Sequence, residues 1–255
     1  IGGVAKSLPL MEEDAFEVHP EVFKKVITKK TKLIIINTPS NPTGTVLSKK
    51  ILEEIADIAV DKNLMIMSDE AYEKLIYDNS KHVSIGSFNG MQDRVITIQS
   101  FSKTYAMCGF RVGYAVGDEN LIREMKEFKI CTTLSAPTFS QLAAVEALRN
   151  SSNYTKMMLK EYDRRRKLIV KRLNEIPKMN CTTPKGAFYA FPNIMNSKMS
   201  SNKFSDFLLK RAKVVGVPGT EFGEYGEGYI RFSYATAYEK IVDALNRIEN
   251  SLRKL

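Results

Sequence analysis

The stretch Ser100-Phe-Ser-Lys103-Thr-Tyr-Ala-Met-Cys-Gly109-Phe-Arg111-Val-Gly113 directly follows a run rich in β-branched residues, Arg94-Val-Ile-Thr-Ile-Gln99. It places two hydroxyls, one lysine and one arginine within twelve positions. A lysine at the end of a buried strand can be held dry enough to lose its proton, and a neutral amine attacks carbonyl carbons. Hydroxyls and a guanidinium suit a phosphate. A lone lysine in a polar loop is usually just solvated, so the other residues of the chain decide between these interpretations.

Runs of apolar residues alternate with segments of helical period, which is the pattern of a mostly parallel sheet covered by helices on both faces. The predicted strands are residues 32–37, 64–68, 94–99 and 112–116. The predicted helices are residues 48–62, with Ser48 as the N-cap, a helix that begins near Asp118, and residues 138–150 and 154–176.

The second part of the chain mixes strands at residues 186–191, 213–217 and 229–234 with helices at 203–211 and 238–253. We therefore predict an α/β fold with a large domain over residues 1–150, which has a mostly parallel mixed sheet flanked by helices. A long connecting helix and a smaller α+β C-terminal domain are predicted over residues 151–255. The run Asp163-Arg-Arg-Arg-Lys167 is predicted to form a solvated helix face.

Composition excludes several classes of function. The chain has 255 residues and a formal net charge of +9, but no basic run is interleaved with aromatic residues, so no nucleic-acid partner is predicted. Three scattered cysteines predict reduced thiols and a cytoplasmic location. The two histidines share no metal-ligand spacing with cysteines or carboxylates, so no metal site is predicted. No apolar run reaches the roughly 18 residues that a membrane span needs, so no membrane partner is predicted.

Three predicted strands are each followed by a chemically active side chain, Asn41, Asp69 or Lys103, at the sheet edge where α/β folds bind ligands. A phosphorylated aldehyde, pyridoxal phosphate, suits this set. The Asp69 carboxylate would keep a pyridine nitrogen protonated, while Asn41 and Tyr72 would bond the ring oxygen. Lys103 would form a Schiff base and shuttle a proton. Alone, each residue reads as a turn, a helix start or ring packing, and only the combination favours this chemistry.

The order of these motifs resembles a known family. Asn41-Pro-Thr-Gly44, Asp69-Glu-Ala-Tyr72, Ser100-Phe-Ser-Lys103 and Gly109-Phe-Arg111-Val-Gly113 resemble the class I and II aminotransferases, which are fold type I pyridoxal phosphate enzymes, and their aspartate aminotransferase branch in particular. The resemblance implies the pyridoxal-phosphate-dependent transferase fold, with Lys103 carrying the cofactor and Asp69 pairing with its ring nitrogen. The residues that the resemblance implies for the remaining cofactor contacts are Asn41 and Tyr72 for the ring oxygen, and Ser100, Ser102 and Arg111 for the phosphate.

A further motif, Gly228-Tyr-Ile-Arg231, resembles the family segment whose arginine binds the α-carboxylate of the substrate. Asn41 and Arg231 are thus the predicted substrate contacts. The resemblance also implies that the Asn41–Pro42 peptide bond is often cis in such enzymes.

The resemblance implies an amino acid aminotransferase that passes an amine from an amino acid to a 2-oxo acid, with aspartate or aromatic substrates favoured. It also implies a homodimer, with the site between the domains. The likeness begins near Glu12 and leaves out the first segment of the family, so we expect the chain to be a piece of a larger enzyme, and whether this piece acts alone stays open. Two alternatives also stay open: a β-elimination or carbon–sulfur lyase with the same cofactor, and a ligand-sensing domain of a transcription regulator.

Overall fold

The computed structural model describes residues 2–255 and divides the chain into two compact units. The sheet unit comprises Val18–Pro39 and Val46–Met158. The C-terminal unit comprises Ile1–Glu17, Ser40–Thr45 and Leu159–Leu255. The domain boundary expected at residue 150 stays a prediction.

The sheet unit is built on a four-stranded sheet in the order β1-β2-β3-β4. Strands β1 to β3 are parallel and β4 runs antiparallel to β3, so the prediction of a mostly parallel mixed sheet is confirmed. The strands are β1 (Leu33–Asn37), β2 (Met65–Asp69), β3 (Val95–Ser100) and β4 (Gly113–Val116). The α-helices are α1 (Pro20–Val26), α2 (Lys49–Asp61), α3 (Phe101–Thr104), α4 (Glu119–Thr133) and α5 (Thr138–Asn150).

Helix α2 forms for the reasons that the sequence indicates. The Ser48 hydroxyl accepts a hydrogen bond from the Ile51 backbone N–H at 3.3 Å and so caps the first turn. Leu52, Ile55 and Ala59 are fully buried on one stripe of the helix, at the three- and four-residue spacing of a packed face. The cap and the apolar stripe together determine where α2 begins and which face it buries.

The two faces of β1 differ in burial. Ile34 and Ile36 are buried, whereas Leu33 is 43% exposed and Ile35 is 63% exposed. Side chains alternate between the two faces of a strand, so the exposed pair marks a single face. Residues 2–255 therefore leave this face of β1 uncovered.

The C-terminal unit contains most of the long helix α6 (Ser152–Glu175), which begins in the sheet unit. Its antiparallel sheet has the strand order β5-β7-β6. The remaining elements are β5 (Tyr189–Ala190), α7 (Ser201–Phe207), β6 (Val217–Pro218), β7 (Ile230–Ser233) and α8 (Tyr238–Leu252).

Two predicted strands of this unit are much shorter than expected. Lys213 has a φ of 55° and follows a π-helical turn, Leu208–Ala212, so the segment predicted as strand 213–217 is extended only at its end. Ala187 has a φ of 57°, which likewise delays the strand predicted to begin at residue 186. A residue in the left-handed region cannot continue a strand.

The three cysteines form no disulfide among residues 2–255. Cys108 and Cys131 are exposed, whereas burial raises the pKa of the Cys181 thiol to about 12. Across the same residues, no helix is both long enough and apolar enough to cross a membrane.

Arg166 contradicts the predicted solvated face on α6. Its side chain is almost completely buried, and its guanidinium donates to the Asp163 carboxylate at 2.6 and 2.9 Å. It also donates to the backbone carbonyl of Pro184 at 2.9 Å. Burial works to raise the pKa of Asp163, but hydrogen bonds from Lys167 and Arg166 outweigh it and lower that pKa. The buried Arg166 side chain therefore links α6 to the segment around Pro184 through hydrogen bonds.

We expect the Arg166→Met substitution to lower the free energy of unfolding by about 3 kcal/mol, because Asp163 and the Pro184 carbonyl would lose buried donors. Lys167→Met is the matched control, since Lys167 pairs with the same carboxylate but is 67% exposed, and its removal should cost about 0.5 kcal/mol or less. Chemical denaturation measures both values. Equal losses in the two variants would contradict the role given to Arg166.

Candidate active site

The carboxyl ends of β2 and β3 bring Asp69 and Lys103 to one edge of the sheet unit. Asp69 is the last residue of β2 and pairs in register with Asn37 of β1 and Ile98 of β3. Lys103 lies in α3, which begins directly after β3. Its Nζ atom lies 5.9 Å from the centre of the Tyr72 ring. The structure therefore places the Lys103 amine near the Tyr72 ring, at the end of the strand that pairs with the one ending in Asp69.

Local hydrogen bonds hold the turn that carries Asp69 and Tyr72. The Asp69 carboxylate accepts from the Ala71 backbone N–H at 3.1 Å, and the Asp69 carbonyl accepts from the Thr38 N–H at 3.1 Å. The Tyr72 carbonyl accepts from the Leu75 N–H at 2.8 Å. Tyr72 is only 5% exposed. These bonds leave Asp69 half-buried at the end of its strand on a constrained backbone.

The predicted phosphate ligands lie around the junction between β3 and β4. Ser100 pairs with Gly113 across the two strands, and its hydroxyl caps α3 by accepting from the Ser102 N–H at 3.2 Å. Arg111 is exposed with a φ of 53°, and its Nη1 donates to the Cys108 carbonyl at 2.9 Å. The strand pairing places Arg111 two residues from the partner of Ser100, so Ser100 and Arg111 belong to one corner of the sheet.

Phe101 anchors α3 within an aromatic group. The centre of its ring lies 5.2 Å from that of Tyr105 and 5.7 Å from that of Tyr114. Burial raises the pKa of both tyrosines, and the nearby Glu73 carboxylate raises it further. Both phenols are therefore neutral near pH 7 and act as packing for the helix that carries Lys103.

The two predicted substrate contacts meet in the C-terminal unit. Arg231, on β7, donates from Nη1 to the Asn41 side-chain oxygen at 2.7 Å. The Asn41–Pro42 bond is cis, as the resemblance implies. Sequence reasoning did not find the two aromatic neighbours of Arg231: its guanidinium carbon lies 4.4 Å from the Tyr189 ring centre and 4.7 Å from that of Phe222.

One edge of the Arg231 guanidinium is only partly used by the described residues. The buried Nε of Arg231 has no hydrogen-bond partner within the described part of the chain. Aromatic rings hold a planar guanidinium in place while its N–H groups still point outward in its plane. A carboxylate binds such an edge with two parallel hydrogen bonds. Tyr189 lies on β5 and Phe222 lies between β6 and β7, so their convergence on one arginine depends on the tertiary fold.

Comparison with known proteins agrees with the family that the sequence motifs predict. A model of the family described as aminotransferase class I and II matches residues 1–248. The chain belongs to this family. The family prediction made from the motifs is therefore confirmed.

Curated aminotransferases are similar over nearly the whole of this chain. An aspartate aminotransferase of Pyrococcus abyssi is 49% identical over 255 residues, and aromatic-amino-acid aminotransferase 2 of Thermococcus litoralis is 48% identical over 255 residues. Each match covers 99% of this chain and 65% of the relative, so the chain spans about 65% of the length of these two relatives.

The aminotransferase fold is equally clear from solved structures. The crystal structure of the aromatic aminotransferase from Pyrococcus horikoshii superposes with a TM-score of 0.94 at 49% identity. The match covers 96% of this chain and 66% of that one. The predicted fold class, an α/β aminotransferase architecture with a mixed sheet flanked by helices, is confirmed.

The two glycines that bound the aminotransferase segment Gly109-Phe-Arg111-Val-Gly113 offer a test of the β3–β4 corner. A Cβ atom on Gly113 would lie 2.6 Å from the Gln99 carbonyl oxygen, whereas one on Gly109 would meet nothing within 4 Å. We expect Gly113→Ala to lower the free energy of unfolding by about 1–3 kcal/mol, because the backbone of β3 has to move.

Gly109→Ala serves as the matched control and should change stability by less than about 0.5 kcal/mol. Urea denaturation of both variants checks the expectation. A Gly113→Ala protein as stable as the parent chain would mean that β4 is not held against β3 at this point.

Proposed function

We propose that this chain carries the amine-transfer chemistry of an amino acid aminotransferase that uses pyridoxal phosphate. The amine would pass from an amino acid of aspartate or aromatic type to a 2-oxo acid. The observation that carries the proposal is the position of Lys103, which follows β3 directly, next to the strand that ends in Asp69, with its Nζ 5.9 Å from the Tyr72 ring. The names of the relatives, an aspartate and an aromatic-amino-acid aminotransferase, support it.

The donor set of the sheet unit fits the cofactor. Pyridoxal phosphate offers a pyridine nitrogen, a ring oxygen, an aldehyde and a phosphate, and Asp69, Tyr72 and Lys103 match the first three in charge and hydrogen-bonding type. The two hydroxyls of Ser100 and Ser102 and the guanidinium of Arg111 match the phosphate. When bound, the cofactor supplies an electron sink for the negative charge that develops at the α carbon of an amino acid.

The side chains of this chain would divide the remaining work. Asp69 would hold a proton at the pyridine nitrogen, and Tyr72 and Asn41 would donate to the ring oxygen. The Lys103 amine would bind the aldehyde carbon until the substrate replaces it. Nζ would then accept the α proton and return it during transfer.

Substrate orientation would fall to the C-terminal unit. Arg231, held by Asn41 and two aromatic rings, presents its Nε edge to the α-carboxylate of an amino acid or a 2-oxo acid. By the same resemblance we propose a homodimer and two domains divided near residue 150. The proposal of a cytoplasmic location rests on the scattered cysteines of the sequence.

Covalent trapping tests the assignment of Lys103. After incubation with pyridoxal phosphate and reduction with borohydride, peptide mapping should find the label on Lys103. Lys103→Ala should lose the label, while Lys74→Ala, which removes an exposed lysine paired with Glu73, should keep it. A label on another lysine of the unaltered chain would refute the assignment.

Product analysis tests the type of reaction. With aspartate or an aromatic amino acid, we expect product only when a 2-oxo acid is present to collect the amine. Release of pyruvate and ammonia from a β-substituted amino acid without any added oxo acid would instead identify a lyase. No observation on the site favours the lyase or the sensor alternative, and the relatives named above are aminotransferases.

A further inference from the structure

A buried carboxylate, Glu70, lies directly behind the candidate cofactor residues. It is 1% exposed at the end of β2, next to Asp69 in the chain. One of its oxygens accepts from the hydroxyls of Ser68 at 2.9 Å and Ser84 at 2.8 Å. The other bonds Nε2 of His82 at 2.8 Å and the Gln99 amide at 3.5 Å. Four partners around two oxygens fill the accepting capacity of an ionised carboxylate, which is what a buried charge requires.

The hydrogen bonds of Glu70 join three separate segments. Ser68 belongs to β2 and Gln99 to β3, while His82 and Ser84 belong to the loop that follows Tyr77. Residues 78–84 of this loop have neither helix nor strand structure, and Asp78 and Asn79 have φ values of 54° and 57°. The Glu70 backbone N–H also donates to the Ile98 carbonyl at 3.0 Å. The Glu70 carboxylate therefore connects an irregular loop to the ends of two parallel strands through hydrogen bonds.

His82 contributes through one ring nitrogen. Its Nε2 lies 2.8 Å from a Glu70 oxygen, to which it donates in the tautomer that carries the proton on Nε2. Its Nδ1 is buried and has no hydrogen-bond partner among the residues described. Glu73 brings a further carboxylate oxygen, and the ligand atoms of Glu70, Glu73 and His82 lie within 4.8 Å of one another. Because hydrogen bonds already occupy both Glu70 oxygens, the group acts as a hydrogen-bonding centre.

We propose that Glu70 and His82 are positioning residues for Asp69 and Tyr72. Glu70 sits between these two residues in the turn, and its side chain fixes the backbone that both depend on. The Glu70 carbonyl also accepts from the Glu73 N–H at 2.9 Å, so the turn is held by side chain and backbone together. The proposal rests on the proposed function in so far as Asp69 and Tyr72 face the cofactor.

The test compares single substitutions at Glu70, His82 and Glu73, each made in the otherwise unchanged 255-residue chain. Glu70→Leu removes all four acceptor contacts, whereas His82→Ala removes one of the two hydrogen bonds to the loop and leaves that of Ser84. Glu70→Gln is the conservative rescue, because its oxygen can accept from His82 while its amide donates to the serine hydroxyls. Glu73→Leu makes the same substitution at the neighbouring carboxylate, whose side chain is 22% exposed, and is the matched control.

The first measurement is amide hydrogen exchange over residues 69–75, which needs no cofactor. We expect exchange to accelerate about tenfold or more in Glu70→Leu, because buried donors lose their acceptor and the turn opens more often. His82→Ala should accelerate exchange in the same peptides by more than about threefold, because one of the two hydrogen bonds to the loop is lost, so the test stands even if Glu70→Leu fails to fold. Glu70→Gln and Glu73→Leu should stay within about threefold of the parent chain.

The second measurement is the pH midpoint of the visible absorbance of bound pyridoxal phosphate. It should move by about half a pH unit or more in Glu70→Leu and His82→Ala, because a displaced Asp69 changes the charge balance at the ring nitrogen. It should not move in Glu73→Leu. Unchanged exchange and an unchanged midpoint in both Glu70→Leu and His82→Ala would overturn the proposal, as would an equal response in Glu73→Leu.

The two proposals fail in different ways. If borohydride trapping does not label Lys103 in the parent chain, the proposed function is refuted. Hydrogen exchange is then the only measurement that decides whether Glu70 positions the turn. A parent chain that is labelled at Lys103, with faster exchange but an unchanged midpoint in Glu70→Leu, leaves the proposed function intact and overturns the positioning of Asp69 by Glu70.

Discussion

The register of three parallel strands is the constraint on which the candidate site depends. Asn37, Asp69 and Ile98 stand side by side at one level of the sheet because backbone hydrogen bonds lock β1, β2 and β3 together. Side chains alternate with a period of two, so a slip of one residue would turn Asp69 to the opposite face. Lys103 depends on the same register, since α3 begins where β3 ends. The chemistry proposed for this edge thus rests first on backbone pairing.

Buried charges join the irregular parts of both units to their regular elements. Glu70 ties the loop after Tyr77 to β2 and β3, and Arg166 ties the segment around Pro184 to α6. An ion taken out of water is tolerated only where hydrogen bonds replace its hydration. Glu70 and Arg166 therefore each fix the position of a segment that is not held by backbone hydrogen bonds of a sheet. Arg231 is held in a related way, because Asn41 and two rings contact its guanidinium, and its buried Nε has no hydrogen-bond partner among the described residues.

Local patterns in the sequence predicted most of the architecture. The N-cap Ser48 and the helical period of residues 48–62 predicted α2, and apolar runs located the four strands of the large sheet to within a residue at each end. The prediction failed where backbone conformation depends on distant packing. The left-handed residues Ala187 and Lys213 shorten strands of the C-terminal unit, and the composition of their segments gave no sign of it.

By itself, the sequence determined the family, the order of the motifs and the residue types available for cofactor chemistry, because these are properties of short segments read along the chain. Only the tertiary structure decided which buried groups support them. In the sequence, Glu70 is only the residue after Asp69, yet its carboxyl group contacts His82 and Gln99 from 12 and 29 positions away. The spacing of residues in the sequence does not predict such long-range hydrogen bonds. They form when a loop packs against the ends of parallel strands, because buried donors require an acceptor.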